Sequence, residues 1–338
     1  MNTSYAELPK ALFHVLRSGL VPMLHGSPGC GKSDIVRAIS SENNLKLIDV
    51  RLSQLDPTDI SGFPSLVDGR SDYLPPKTFP IASDKIPEGY NGWVLFLDEI
   101  NSAPLAVQAA AYRLVLDREV GQHKLHDNVA IIAAGNKATD KAIVNRMSTA
   151  MQSRMIHFNI EPEAESWIKW ASKSDIDHRV IGFIEFRPEL LFKFDPNHSD
   201  NTFPTPRTWS FISKLIKGYD SIDPYMIPML VGTVGEGPAI EFKSFLDLFG
   251  KIPKFSEILS KGASLEIPDR TDMLYAINSM MSEHINETNI SKAFPYLKRL
   301  PIEFQISCLK SVISKNPKII VTPEIKEWTK TNAQYLVE

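Results

Sequence analysis

The chain has 338 residues and sets 37 Lys+Arg against 40 Asp+Glu, a formal charge of −3, which excludes a globally basic nucleic-acid coat while leaving local basic patches open. At 37.9 kDa, with a mean hydropathy of −0.13, it is too long for one ordinary core and too apolar for global disorder, so two or three packed units are expected. Cys30 and Cys308 are the only cysteines; they make neither a disulfide framework nor a four-ligand metal site, and they point to a reducing compartment.

The first ten residues include Glu7, Pro9 and Lys10 and lead into His14 and Arg17, without the apolar core of a signal peptide. No stretch reaches the roughly twenty apolar residues of a membrane span. A cytoplasmic protein with no membrane partner is expected.

The first half alternates short apolar runs with helical periods, the pattern of a parallel sheet covered by helices on both faces. Strands are predicted at 20–24, 45–52, 93–97, 129–134 and 155–160, giving a five-stranded α/β nucleotide-binding domain over residues 1–160. The segment 53–92 is rich in Pro, Gly and Asp and too long for a plain connection. It predicts an inserted element that contacts something outside the core. Beyond Glu161-Pro162 strand alternation stops. Helical spacing over 164–173, 179–185, 208–217 and 225–233 predicts an all-α domain at 161–250, and the periods at 269–284, 289–298 and 302–315 predict a helical extension at 251–338.

Between the first strand and a helical face of Ile35, Val36 and Ile39 lies Gly26-Ser27-Pro28-Gly29-Cys30-Gly31-Lys32-Ser33, which fits Gly-x-x-x-x-Gly-Lys-Ser/Thr in the required order of strand, loop and helix. Such a loop turns backbone N–H groups inward around a phosphate, and the helix N-terminus adds positive potential. Lys32 is the candidate for bridging the β- and γ-phosphates, and the Ser33 hydroxyl for ligating Mg²⁺. Cys30 fills a variable slot as a small residue.

The strand at 93–97 ends in Asp98-Glu99. A buried parallel strand delivers its last side chains to the carboxyl edge of the sheet, where the phosphate loop also lies. There Asp98 would join the Mg²⁺ shell and Glu99 would polarise the attacking water. Asn136 follows the strand at 129–134 and has two readings. It orients the water or touches the γ-phosphate, or it only caps its loop.

Together these residues resemble the AAA+ ATPases and, within them, the dynein-related, MoxR-type group, over about residues 12–249. The resemblance takes 26–33 as Walker A, 95–99 as Walker B, Asn136 as sensor 1 and Thr205-Pro206-Arg207 as the opening of a lid helix that carries sensor 2. It implies a Mg²⁺- and ATP-dependent hydrolase acting as a ring, commonly hexameric, with Arg207 reading the γ-phosphate and an arginine finger lent by the neighbouring subunit. Arg154 is the first candidate for that finger and Arg146 the second, an ion pair within the subunit being the competing reading for both; Arg113 or Arg118 could also reach a neighbouring subunit. The resemblance also makes 53–92 a helix-2 insert and 119–125 a pre-sensor hairpin, both candidate substrate contacts, and it implies remodelling of a protein partner, such as one with a von Willebrand factor A domain.

Two other functions stay open at this stage. A nucleic-acid motor would use Lys77, Lys85 and Lys124 in its pore, and a nucleotide-gated scaffold would bind without turnover. Trp167/Trp170 and Phe183/Phe186 have i, i+3 helical spacing and are expected to pack the core of the helical domain. His123 and His126 have no third ligand at a suitable spacing, so no metal site is expected there.

Overall fold

A computed structural model of the protein describes residues 7–140, 145, 147–197 and 200–332. The chain divides into two compact units, Met1–Glu161 with Asp195–Asn197, and Pro162–Phe194 with His198–Glu338.

The strands of the first unit are β1 (Val21–His25), β2 (Leu45–Arg51), β3 (Phe63–Val67), β4 (Arg70–Leu74), β5 (Gly92–Asp98), β6 (Glu119–Val120), β7 (His123–Lys124), β8 (Val129–Gly135) and β9 (Met155–Asn159). Its helices are α1 (Leu8–Arg17), α2 (Lys32–Glu42), α3 (Pro57–Ser61), α4 (Leu105–Leu116) and α5 (Thr149–Gln152). Five strands pair in parallel in the order β2-β5-β8-β1-β9. All five predicted strands form, with ends within a residue or two of those expected.

The continuous apolar run of β5 is explained by burial on both faces. Trp93, Leu95 and Leu97 face one layer with Val107, Ala111 and Leu114 of α4. Val94 and Phe96 face the other with Leu8 and Leu12 of α1 and Ile35, Val36 and Ile39 of α2. Alternate residues of one strand thus build two separate cores.

The insert at 53–92 contains α3 and the antiparallel hairpin β3–β4. Its turn is Asp68-Gly69, both at positive φ (50° and 74°), as a tight primed turn requires. A second hairpin, β6–β7, turns at Gly121 and docks on the insert. His123 Nε2 lies 3.0 Å from Tyr73 O, and a Cβ at Gly121 would come within 2.4 Å of Ser61 O.

The second unit contains only helices among its described elements: α6 (Ala164–Ala171), α7 (His178–Phe186), α8 (Pro206–Ile216), α9 (Ile227–Val234), α10 (Glu236–Leu246), α11 (Phe255–Lys261), α12 (Thr271–His284), α13 (Ile290–Leu297), α14 (Ile302–Lys315) and α15 (Pro323–Asn332). One apolar cluster runs from Trp167 to Trp328. Trp209 is its largest fully buried side chain; its Nε1 donates to Leu190 O at 2.7 Å, and its ring lies 5.3 Å from Phe183 and 5.6 Å from Phe242. Arg179 tolerates burial because its guanidinium pairs with Asp177 at 2.8 Å and donates to Tyr219 O and Ile216 O.

The aromatic pairs only partly follow expectation. Phe183 is buried and Phe186 stacks on Phe245. Trp167 is buried, but Trp170 is 43% exposed and rests beside it as a rim residue. Trp167 is itself at the edge of the α6 face formed with Ala164, Ile168 and Ala171, and Trp170 lies about 60° further round the helix, beyond that face. No helix among the described residues is long and apolar enough to cross a membrane.

Candidate nucleotide site

Sheet order decides which residues meet at the carboxyl edge. Strand β8 lies between β5 and β1, with Leu97 opposite Ala133 and His25 opposite Gly135. The residues that follow β5, β8 and β1 are therefore neighbours: Glu99, Asn136 and the loop from Gly26. On the other side of β5, Arg51 of β2 pairs with Asp98, which brings the turn after β2 beside Glu99.

The loop 26–33 joins β1 to α2. Gly29 and Gly31 adopt φ of 77° and 94°, a left-handed conformation that favours glycine, and Gly31 is the N-cap of α2. Gly26 is needed for space: a Cβ there would lie 2.6 Å from Cys30 Sγ and 3.3 Å from Ile160 O. Cys30 is buried, and burial pushes its thiol pKa up, so it behaves as a small packing residue within the loop.

Lys32 Nζ donates to Gly26 O, to Ser27 O at 3.2 Å and to Asn136 Oδ1 at 3.4 Å. Its charge is held by neutral oxygens, partners that phosphate oxygens can replace. Ser33 Oγ stands 3.5 Å from Asp98 Oδ2. Burial raises the Asp98 carboxyl above its ordinary range, opposed by the N–H of Glu99 and by Lys32. A hydroxyl and a carboxylate side by side form a hard oxygen donor set suited to Mg²⁺.

Glu99 takes a positive φ of 58°, unusual for a residue with a Cβ. Its backbone N donates to Asp98 Oδ1 at 2.9 Å, and its carboxylate accepts from Ser53 Oγ. His25, just before the loop, has its Nε2 2.8 Å from Nδ1 of His157, whose Nε2 donates to Gln152 O. Burial, His157 and Lys32 lower its pKa to about 4, so His25 adds no charge beside the loop at neutral pH.

Gly26, Ser27, Pro28, Gly29, Cys30, Gly31, Lys32, Ser33, Asp98, Glu99 and Asn136 thus converge. The candidate arginines are placed otherwise. Arg154, between α5 and β9, is exposed, donates to Tyr112 Oη and Ala150 O at 3.2 Å each, and has no ion pair among the described residues. Arg113 pairs with Glu119 at 2.7 Å. Arg118 donates to Val129 O at 2.6 Å and to His126 O at 3.4 Å, which ties it to the backbone leading into β8. Arg146 lies outside the described residues. Arg207, at the second position of α8 in the helical unit, is exposed and has no ion pair among the described residues.

Sequence reasoning missed two contributors, Ser53 and Asn101. Asn101 Nδ2 donates to Asn136 O at 2.8 Å, and Asn136 N donates back to Asn101 Oδ1 at 3.1 Å. A polar residue two positions beyond Glu99, in a segment that folds into the core, was the available signal for Asn101. Ser53 had none until sheet order put β2 beside β5.

The sequence model of the AAA domain (dynein-related subfamily) matches residues 22–155. No protein of curated function matches the chain. Among solved structures, the chain is similar to a proposed ATPase from Cytophaga hutchinsonii at 14% identity over 90% of this chain and 79% of that one, with a TM-score of 0.36. It is similar to a RuvB mutant from Thermotoga maritima at 17% identity over 87% and 85%, TM-score 0.39, and to NtrX from Brucella abortus, solved with ATP, at 15% identity over 98% and 68%, TM-score 0.39. The glycine loop, the acidic strand end and the matched segment lie on one parallel sheet, and residues 22–155 match an AAA domain of the dynein-related subfamily.

Proposed function

We propose that the protein is a cytoplasmic, Mg²⁺-dependent ATPase that assembles as a ring, commonly a hexamer in MoxR-type proteins, and uses hydrolysis to remodel a protein partner. The observation that carries this reading is the convergence of Lys32, Ser33, Asp98, Glu99 and Asn136 at one sheet edge, through the bonds Lys32–Asn136 and Ser33–Asp98.

In this reading the backbone N–H groups of 26–33 hold the phosphates, and Lys32 exchanges Gly26 O and Ser27 O for phosphate oxygens. Ser33 and Asp98 hold Mg²⁺, which when bound neutralises charge developing on the phosphates. Glu99 accepts a proton from the attacking water, and Asn136 positions the reacting groups through its amide. Arg154, exposed and without an ion pair among the described residues, is the proposed finger for a neighbouring subunit. Arg207 keeps the sensing role that the resemblance gives it. The domain limits 1–160, 161–250 and 251–338 remain part of the proposal.

A protein substrate is favoured by the insert. Phe63, Leu66 and Leu74 on its hairpin are 66%, 81% and 56% exposed. Across 53–92, Asp56, Asp59, Asp68, Asp72, Asp84 and Glu88 outnumber Arg70, Lys77 and Lys85, a balance that repels a phosphate backbone. An adaptor with a von Willebrand factor A domain is the partner proposed from the MoxR-type resemblance.

The test is phosphate release from ATP with Mg²⁺. Glu99→Gln is expected to lower turnover by about 10²–10⁴-fold while nucleotide binding holds. Equal turnover in the variant refutes the assignment, and stimulation by DNA that falls steeply with salt transfers the reading to a nucleic-acid motor.

A further inference from the structure

Asn101 is 5% exposed, and a primary amide taken out of water destabilises the fold unless both its ends find partners. Both do, and on one residue. The Nδ2 bond to Asn136 O and the Oδ1 bond from Asn136 N form a closed pair across 35 positions of sequence. A loop-capping Asn bonds its own neighbourhood; this one joins the segment after β5 to the segment after β8.

The surroundings are shaped around that pair. Ile100 N donates to Ala134 O at 3.0 Å, and Asn145 N donates to Asn101 O at 2.6 Å, so both sides of the Asn101 backbone are anchored. A Cβ on Gly135 would come within 2.2 Å of Asn101 Oδ1. Residue 135 must be glycine because the Asn101 amide occupies the space a side chain would need. Gly135 O in turn accepts from Gly26 N, the first residue of the phosphate loop, at 3.3 Å. The backbone that the amide grips therefore runs into Asn136, whose Oδ1 lies 3.4 Å from Lys32 Nζ, and also touches the start of the loop.

Resting on the reading of this site as nucleotide-hydrolysing, we propose that Asn101 is a positioning residue: it fixes the Asn136 backbone so that the Asn136 amide is presented to the γ-phosphoryl group and its water, and it affects turnover only through Asn136. A residue that merely filled the core would instead affect stability, binding and turnover together, whether Asn136 were present or not.

The experiment uses the full chain and measures kcat and KM for ATP with Mg²⁺, together with binding of a fluorescent ATP analogue. Asn101→Ala and Asn136→Ala should each lower kcat by about 10–100-fold, as a misplacement of about 1 Å does, with KM and analogue affinity within about threefold. The double variant should be no slower than Asn136→Ala alone, since a residue acting only through a partner has no effect once that partner is gone. Gly135→Ala, which drives a methyl against Asn101 Oδ1, should reproduce the Asn101→Ala kinetics. Should Asn101→Ala fail to fold, Asn101→Asp decides: it keeps the volume and the bond from Asn136 N, loses the donation to Asn136 O, and should show the same kcat loss only when Asn136 is present.

Multiplicative losses in the double variant, equal losses in affinity and kcat, or an unchanged kcat in Asn101→Ala each overturn the positioning role. Absence of turnover in the parent protein overturns the hydrolytic reading itself, and the positioning role with it, so the two failures are distinguishable.

Discussion

Replacing Ser53 by Ala tests how the Glu99 carboxylate, the proposed general base, is held. Ser53 Oγ donates to Glu99 Oε2, and a hydrogen bond to an ionised group contributes about 1.5–3 kcal/mol net. Against it stands the left-handed backbone of Glu99, φ 58°, whose strain is on the order of 1 kcal/mol. The difference, about 0.5–2 kcal/mol, makes the Ser53-bound arrangement roughly 2- to 30-fold more populated than the released one. If the Ser53-bound rotamer is a resting one, from which the carboxylate must rotate to reach the attacking water, turnover scales with the released fraction. Ser53→Ala is therefore expected to raise kcat by roughly 2- to 30-fold with KM for ATP unchanged, and Ser53→Thr, which keeps the hydroxyl, to match the parent. Steady-state phosphate release at saturating ATP and Mg²⁺ measures both. An unchanged or lowered kcat in Ser53→Ala refutes the reasoning and makes Ser53 an aid to Glu99 rather than a restraint on it.

Arg154→Ala should leave analogue binding intact while turnover of the assembled protein falls by about 10³–10⁵-fold, the effect of losing an arginine finger; unchanged turnover removes Arg154 from the site. Trp209→Phe leaves the buried Leu190 carbonyl without its donor and a gap where the larger ring stood, a loss of about 2–4 kcal/mol to be read by denaturant unfolding. A change under 1 kcal/mol would mean that the site repacks. His178, beside Phe249 and His284, has its pKa lowered to about 4 by burial. A base depressed in the folded state contributes stability above its unfolded pKa of about 6.5 and loses it as pH falls toward 4, about 3 kcal/mol in all. His178→Phe should flatten the fall of Tm between pH 6.5 and 4. Glu185, whose buried carboxyl is shifted upward, destabilises in the opposite direction as pH rises, so parent and variant are compared at each pH; parallel curves would refute the His178 assignment.

Some of the helical unit was not legible. Helix α10 begins Glu236-Gly237-Pro238, residues that read as a break, yet the proline lies in the first turn, where its missing N–H has no intrahelical partner to lose. Helix α11, at Phe255–Lys261, is about two turns long, too short for a 3.6-residue period to repeat. In both cases burial against the common core, Phe242 and Phe245 from one and Ile258 from the other, stabilises helices that local preference leaves marginal.

The amino-acid sequence alone determined the five strands, the phosphate loop and the Asp98-Glu99 pair, because each is a contiguous pattern: an apolar run buried on two faces, a glycine spacing that permits one backbone path, and carboxylates at a strand end. Only the tertiary structure decided that Asn101 grips Asn136, that Ser53 holds Glu99, and that Arg118 is tied to the backbone entering β8 while Arg154 is exposed beside Tyr112. Those relations depend on which strands lie side by side. The order β2-β5-β8-β1-β9 results from how helices on both faces pack over the whole sheet, a sum over distant residues that no short window of sequence contains.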